Sequence, residues 1–158
     1  MKIAIVGASE YRWSEKQKEK VLRKIETILY AHGYPQEPSL TMVSGHCPKG
    51  GVDIWAEEIA DEFGIKKEIY TPEVNQWNSA LRCCACGQIH TLDTWICLGE
   101  GSSMFDYVKG YRERNIEIAK ACDVLYCIEP KGNPSRGGRY TMKYARELGK
   151  EVHLLVIE

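Results

Sequence analysis

The sequence lacks a charge imbalance: 21 Lys and Arg stand against 22 Asp and Glu, a formal net charge of -1 over 158 residues. A near-neutral chain exerts no global pull on nucleic acid or on an anionic membrane, so neither is an expected partner. A local basic patch stays open. There is no internal repeat and no low-complexity tract, which excludes a solenoid or a disordered linker protein. Nothing reads as a targeting segment. The opening "MKIAIVG" is too short and too soon polar for a signal peptide or a membrane span. An even disulfide framework is missing too, because the cysteine count is seven. The expected compartment is therefore reducing, the cytoplasm, with thiols free or on a metal. Two nucleotide motifs are also missing. Gly45 and Gly50 have the glycine spacing of a P-loop, but Gly51 and Val52 occupy its lysine and hydroxyl positions. No G-x-G-x-x-G follows the first apolar run. Neither a P-loop ATPase nor an ordinary NAD dehydrogenase is supported.

What is present is an alternation. The length suits one domain, and 44% hydrophobic residues suffice for its core. Short runs at residues 2–6, 40–44, 66–70, 123–128 and 151–157 predict strands, the first two of them apolar. Helical spacing separates them. Val21, Ile25, Ile28 and Leu29 form one stripe, introduced by Ser14 and Gln17 as a capping box and stopped at Gly33. Val52, Ala56, Ile59, Ala60 and Phe63 form a second, and Gly64 ends it. Further helices are predicted at about 110–122 and at 137–148. Strands alternating with amphipathic helices predict an α/β fold: a Rossmann-like, doubly wound parallel sheet of about five strands. Residues at about 76–108 have no clear period and read as a Cys-rich insertion into this single domain.

Ligands of such sheets sit at the carboxyl ends of the strands, near the switch in strand order. Three predicted strand ends carry unusual loops: "GASEYRW" at 7–13, "SGHCPKGGVDIWA" at 44–56 and "EPKGNPSRGGRYT" at 129–141. Their chemistry suits an anion. Glycines let backbone N–H groups approach a ligand, and helix N-termini present N–H donors with partial positive charge. Lys49 and Arg139 add charge, and Ser9, Ser135 and Thr141 add hydroxyls. Asp53 could cap backbone donors or accept from a ribose hydroxyl. Each loop taken singly also reads as ordinary turn chemistry.

The order of these motifs resembles a family. "VSGHCPKGGVDIWAEEIADEFGI", "RNIEIAKACDVLYCIEP", "GGRYTMKYARELGKEV" and the opening "IVGASE" are similar to the YspA-like branch of the SLOG superfamily. That superfamily also holds the LOG (lysine-decarboxylase-like) proteins and DNA-processing protein A. The resemblance implies a Rossmann-like fold that binds a nucleotide or nucleotide-derived ligand, and a homodimer. By position it implies pocket residues at Gly45, Gly50, Asp53, Arg114, Asn115, Gly137 and Gly138; Gly7, at the start of the first strand-end loop, is a further candidate. The last turn departs from the LOG pattern P-G-G-x-G-T-x-x-E: Gly138 is followed by Arg139, and no glutamate follows in the first turns. A carboxylate near the ribose, as in related N-glycosidases, would have to come from Glu10, Asp53 or Glu129.

The insertion places Cys83, Cys86, His90 and Cys97 close together. A compact C-x-x-C…H…C array fits a tetrahedral structural zinc, and a small insertion without its own core gains stability from one. The alternatives are Cys84 as first ligand, or buried thiols acting as small hydrophobes. Cys122 and Cys127 read as core. Trp77, Trp95, Tyr107 and Tyr111 either stack a base or pack the insertion. Three functions follow as expectations: binding of a phosphate- and ribose-bearing small molecule, as a sensor; cleavage or transfer at a nucleotide's N-glycosidic bond; and binding of single-stranded nucleic acid, which the charge balance weighs against.

Overall fold

The computed structural model describes residues 1–83, 88–90 and 105–158. The chain forms two compact units, Met1–Tyr70 with Asn115–Glu158, and Thr71–Arg114.

The first unit is built on a parallel sheet of five strands. They are β1 (Lys2–Gly7), β2 (Thr41–Ser44), β3 (Lys66–Ile69), β7 (Val124–Pro130) and β8 (Glu151–Ile157). Their order is β3-β2-β1-β7-β8. The chain leaves β1 to one side, then crosses back to β7 on the other, so the order reverses between β1 and β7. The register there runs from Ile3 opposite Val124 to Gly7 opposite Ile128. The predicted Rossmann-like sheet of five strands is the one observed.

The inner strands β1, β2 and β7 are near-continuous buried runs because helices cover both faces, whereas the edge strand β3 carries Lys66, Lys67 and Glu68 and is partly exposed. Along β1, Ile3 and Ile5 point into one core and Ala4 and Val6 into the other. Helices α1 (Glu15–Ala31) and α2 (Val52–Glu62) close the first core through Val21, Ile25, Leu29, Val52, Trp55, Ala56 and Ile59. Helix α4 (Arg136–Glu147) closes the second with Met142 and Ala145. It is joined there by Ile118 and Ala119 of α3 (Tyr111–Ala121) and by Cys122 just beyond it. Each fully buried Ile or Leu of this kind contributes roughly 2–3 kcal/mol. The local signals act as expected. Ser14 Oγ accepts from Gln17 N while Gln17 accepts from Ser14 N, a complete capping box. His32 caps α1, and Gly33 follows it in the left-handed region at φ 99. Among the described residues no helix is long and apolar enough to cross a membrane.

The second unit contains the expected insertion. Its sheet is antiparallel, in the order β5-β4-β6, from β4 (Ala80–Cys83), β5 (Ile89–His90) and β6 (Phe105–Val108). Val74, Ala80 and Val108 form its small core. Cys83 is buried. Cys84, Cys86 and Cys97 lie outside the described residues, as does Trp95. Among the described residues no group of three or more His, Cys, Asp or Glu could hold a metal.

Candidate ligand-binding site

The loops after β1, β2 and β7 meet at the carboxyl edge of the first unit's sheet. Gly51, the N-cap of α2, has φ 94 and ψ −149, a conformation open only to glycine. A Cβ there would lie 2.3 Å from Ala8 O, so the first loop runs directly against the start of α2. Val52 N donates to Ala8 O at 3.3 Å, and Glu10 N donates to Lys49 O at 3.4 Å. The Glu10 carboxylate lies over Gly50, where an added Cβ would be 2.6 Å from Oε2, and pairs loosely with Lys18 at 3.6 Å. Ser9 Oγ lies 3.9 Å from Cys47 Sγ.

The first loop is also tied to the third. Ala8 N donates to Ile128 O at 3.2 Å. Arg12 Nη1 donates to Pro134 O at 2.7 Å and to Asn133 Oδ1 at 3.3 Å. Ser135 Oγ donates to Gly7 O at 3.1 Å. Gly7 is fixed by this closeness: a Cβ would stand 2.1 Å from Ile128 O and 2.8 Å from Val52 Cγ2.

The turn from β7 into α4 is held by its own residues. Ser135 caps α4, its Oγ accepting from Gly138 N at 3.1 Å. Glu129 is only 2% exposed. Its carboxylate accepts from Ser135 N at 3.0 Å, from Arg139 Nε at 3.0 and 3.2 Å, and from Arg139 Nη2. The Arg139 guanidinium, helped by the Ser135 N–H, holds the Glu129 carboxyl below the usual carboxylate range despite burial. Both groups, singled out from sequence as a catalytic acid and an anion-binding cation, are thus engaged with each other. Asn115 Nδ2 donates to Gly137 O at 3.4 Å, and Thr141 Oγ1 donates to the same carbonyl at 2.9 Å. Gly138 packs on Cys127, where an added Cβ would meet Sγ at 2.8 Å. At Gly137 the nearest atom would be Asn115 Nδ2 at 3.6 Å, ordinary contact.

The remaining groups give the edge its charge. Lys49 and Arg136 are exposed and make no ion pair among the described residues. The exposed Tyr11 phenol is held below its ordinary value by Arg12 first, with Lys49 contributing. Gly45 and Asp53 are buried. Burial pushes the Cys127 thiol up to about 12, reinforced by Glu129, so it stays protonated and serves the core. Burial likewise pushes the Cys122 thiol up to about 11. Arg114 belongs to the second unit, where its guanidinium lies 5.2 Å from the Tyr111 ring centroid.

Sequence reasoning missed one group. Ser44 Oγ donates to Glu57 Oε1 at 2.5 Å, and His46 Nδ1 donates to Glu57 Oε2 at 2.7 Å. Ser44 Oγ in turn accepts from His46 N at 3.2 Å. The signal was the spacing of Asp53 and Glu57, four apart and so on one face of α2. Both are buried, at 6% and 5% exposure, where an acid needs hydrogen-bonding partners.

The sheet order, which reverses between β1 and β7, defines a doubly wound α/β protein as the class to compare. No family model matches the sequence, and no curated protein matches it. Among solved structures the chain is similar to the molybdenum cofactor carrier protein MCP from Chlamydomonas reinhardtii. The identity is 18% and the TM-score 0.55, over 97% of this chain and 74% of that one. The likeness shows the fold alone, a Rossmann-like α/β arrangement.

Proposed function

We propose that the chain binds a small molecule carrying a phosphate and a sugar, a nucleotide or nucleotide derivative, at the carboxyl edge beside β1 and β7. The observation that carries this reading is the start of α4. Ser135 caps the Gly138 N–H, but the N–H groups of Arg136 and Gly137 meet no acceptor among the described residues. Such donors at a helix N-terminus suit anionic oxygens. Gly137 leaves them approachable, and the exposed Lys49 adds a cation at the same edge. A fold shared with a protein named as a cofactor carrier supports a binding role, that of a carrier or sensor. Cleavage of an N-glycosidic bond draws less support. Of the candidate carboxylates, Glu129 is spent on Arg139 and Glu10 lies over Gly50.

The test is thermal unfolding with AMP, ADP-ribose, ribose 5-phosphate and inorganic phosphate. A ligand at one hundred times its Kd stabilises by about 2.7 kcal/mol. For a chain of this size that is a rise in Tm of roughly 5–10 °C. Lys49→Ala should weaken the best ligand about tenfold, the loss of one charge-assisted contact. No shift with any of the four at millimolar concentration overturns the reading.

A further inference from the structure

We propose that His46 is a contact residue of this site that reads a hydroxyl of the bound molecule through Nε2, and that Glu57 and Ser44 are its positioning residues. The inference rests on the binding site proposed above. It starts from a geometry that serves the imidazole at both ends. Glu57, on α2, has both carboxylate oxygens occupied: Oε1 by the Ser44 hydroxyl at 2.5 Å and Oε2 by His46 Nδ1 at 2.7 Å. The same Ser44 hydroxyl accepts the His46 backbone N–H at 3.2 Å. Ser44 is 0% and Glu57 5% exposed, so this support is buried, whereas the His46 side chain is 54% exposed.

The backbone adds a second observation. His46 has φ 49, and it is the one described non-glycine residue with positive φ. That conformation is unfavourable for a side chain and is commonly kept where it delivers a group to a functional site. Here it turns the ring back onto Glu57. With Nδ1–H committed to the carboxylate, the other ring nitrogen is the one turned to function, as in carboxylate–histidine pairs generally. His46 Nε2 makes no hydrogen bond among the described residues.

The chemistry complements the rest of the edge. Lys49 and the N–H groups of Arg136 and Gly137 are all donors, suited to anionic oxygens. A sugar hydroxyl is itself a donor and needs an acceptor. In its neutral form His46 supplies one, in the loop that also carries Lys49. The dyad would therefore distinguish a phosphosugar from phosphate alone.

Two measurements test this. Calorimetric titration uses ribose 5-phosphate and inorganic phosphate as probes, on the wild type and on His46→Asn, asparagine being a residue that tolerates positive φ. The expected result is a tenfold or greater loss for ribose 5-phosphate, with phosphate affinity changed less than twofold. Equal loss for both probes, or no loss for either, overturns the proposal. So does a wild type that binds neither, and the nucleotide panel then shows whether the binding reading falls with it. Independently, imidazole nitrogen NMR of the unliganded protein should find neutral His46 protonated at Nδ1, and Glu57→Gln should abolish that preference. A neutral ring protonated at Nε2 overturns the proposal whatever binds.

Discussion

At the residue scale, glycines that look alike in the sequence do different work. Gly7 is held between Ile128 O and Val52, and a methyl group there would overlap both. Gly137 has room for one, at ordinary distance from Asn115 Nδ2. The sequence reading placed both in one pocket because composition cannot separate a glycine needed for packing from one needed for ligand approach. The structure predicts that they part on substitution. Gly7→Ala should cost about 3 kcal/mol, the upper range for overpacking a well-filled site. Gly137→Ala should leave stability within about 1 kcal/mol, since alanine is favoured in a helix. Its added methyl should nevertheless weaken phosphate-bearing ligands. Urea unfolding and ligand titration of the two variants check this. A Gly137→Ala protein that binds as well as wild type would place the anion elsewhere.

At the element scale, the turn between β7 and α4 shows why part of the site was not legible. Glu129 and Arg139 are ten residues apart, and nothing in that spacing announces a pair. They meet because the turn folds the first residues of α4 back over the end of β7, where Ser135 fixes both the carboxylate and the helix cap. The pair makes a pH prediction whose sign is set by geometry. Arg139 chiefly, with Ser135 N–H, lowers the Glu129 pKa from about 4.5 in the folded state. A depressed folded pKa gives stability that is present above the unfolded value and is lost as pH falls through the folded one. The wild type should therefore lose stability in acid, below about pH 4.5. Arg139→Gln should flatten that slope and lower the urea midpoint at neutral pH, by less than the loss of a fully buried pair because the guanidinium is half exposed. Urea unfolding of both proteins across this range decides it, and identical slopes would show that the pair adds nothing.

At the scale of the whole molecule, the legible part was the part with a period. Alternating strands and stripes such as Val21, Ile25 and Leu29 gave the doubly wound sheet, and strand-end position alone brought three loops to one edge. The Ser44–Glu57–His46 group was hidden because it joins a strand end to a helix face across the fold. The strands of the second unit were hidden because they carry too few residues for a pattern, with Val74, Ala80 and Val108 as its core. A unit so small commonly needs a further staple, and we propose that a structural zinc provides it. The spacing of Cys83, Cys86, His90 and Cys97 motivates the proposal. The hairpin register pairs Leu81 with His90, which makes Cys83, two residues on, a diagonal neighbour of His90 across the strands. Protein purified without chelator should then contain about one zinc per chain, bound at a single tetrahedral site. Cys86→Ser should lose the metal and expose the second unit to proteolysis, while nucleotide-induced stabilisation of the first persists. Metal-free wild-type protein with an equally resistant second unit would show that the thiols only pack.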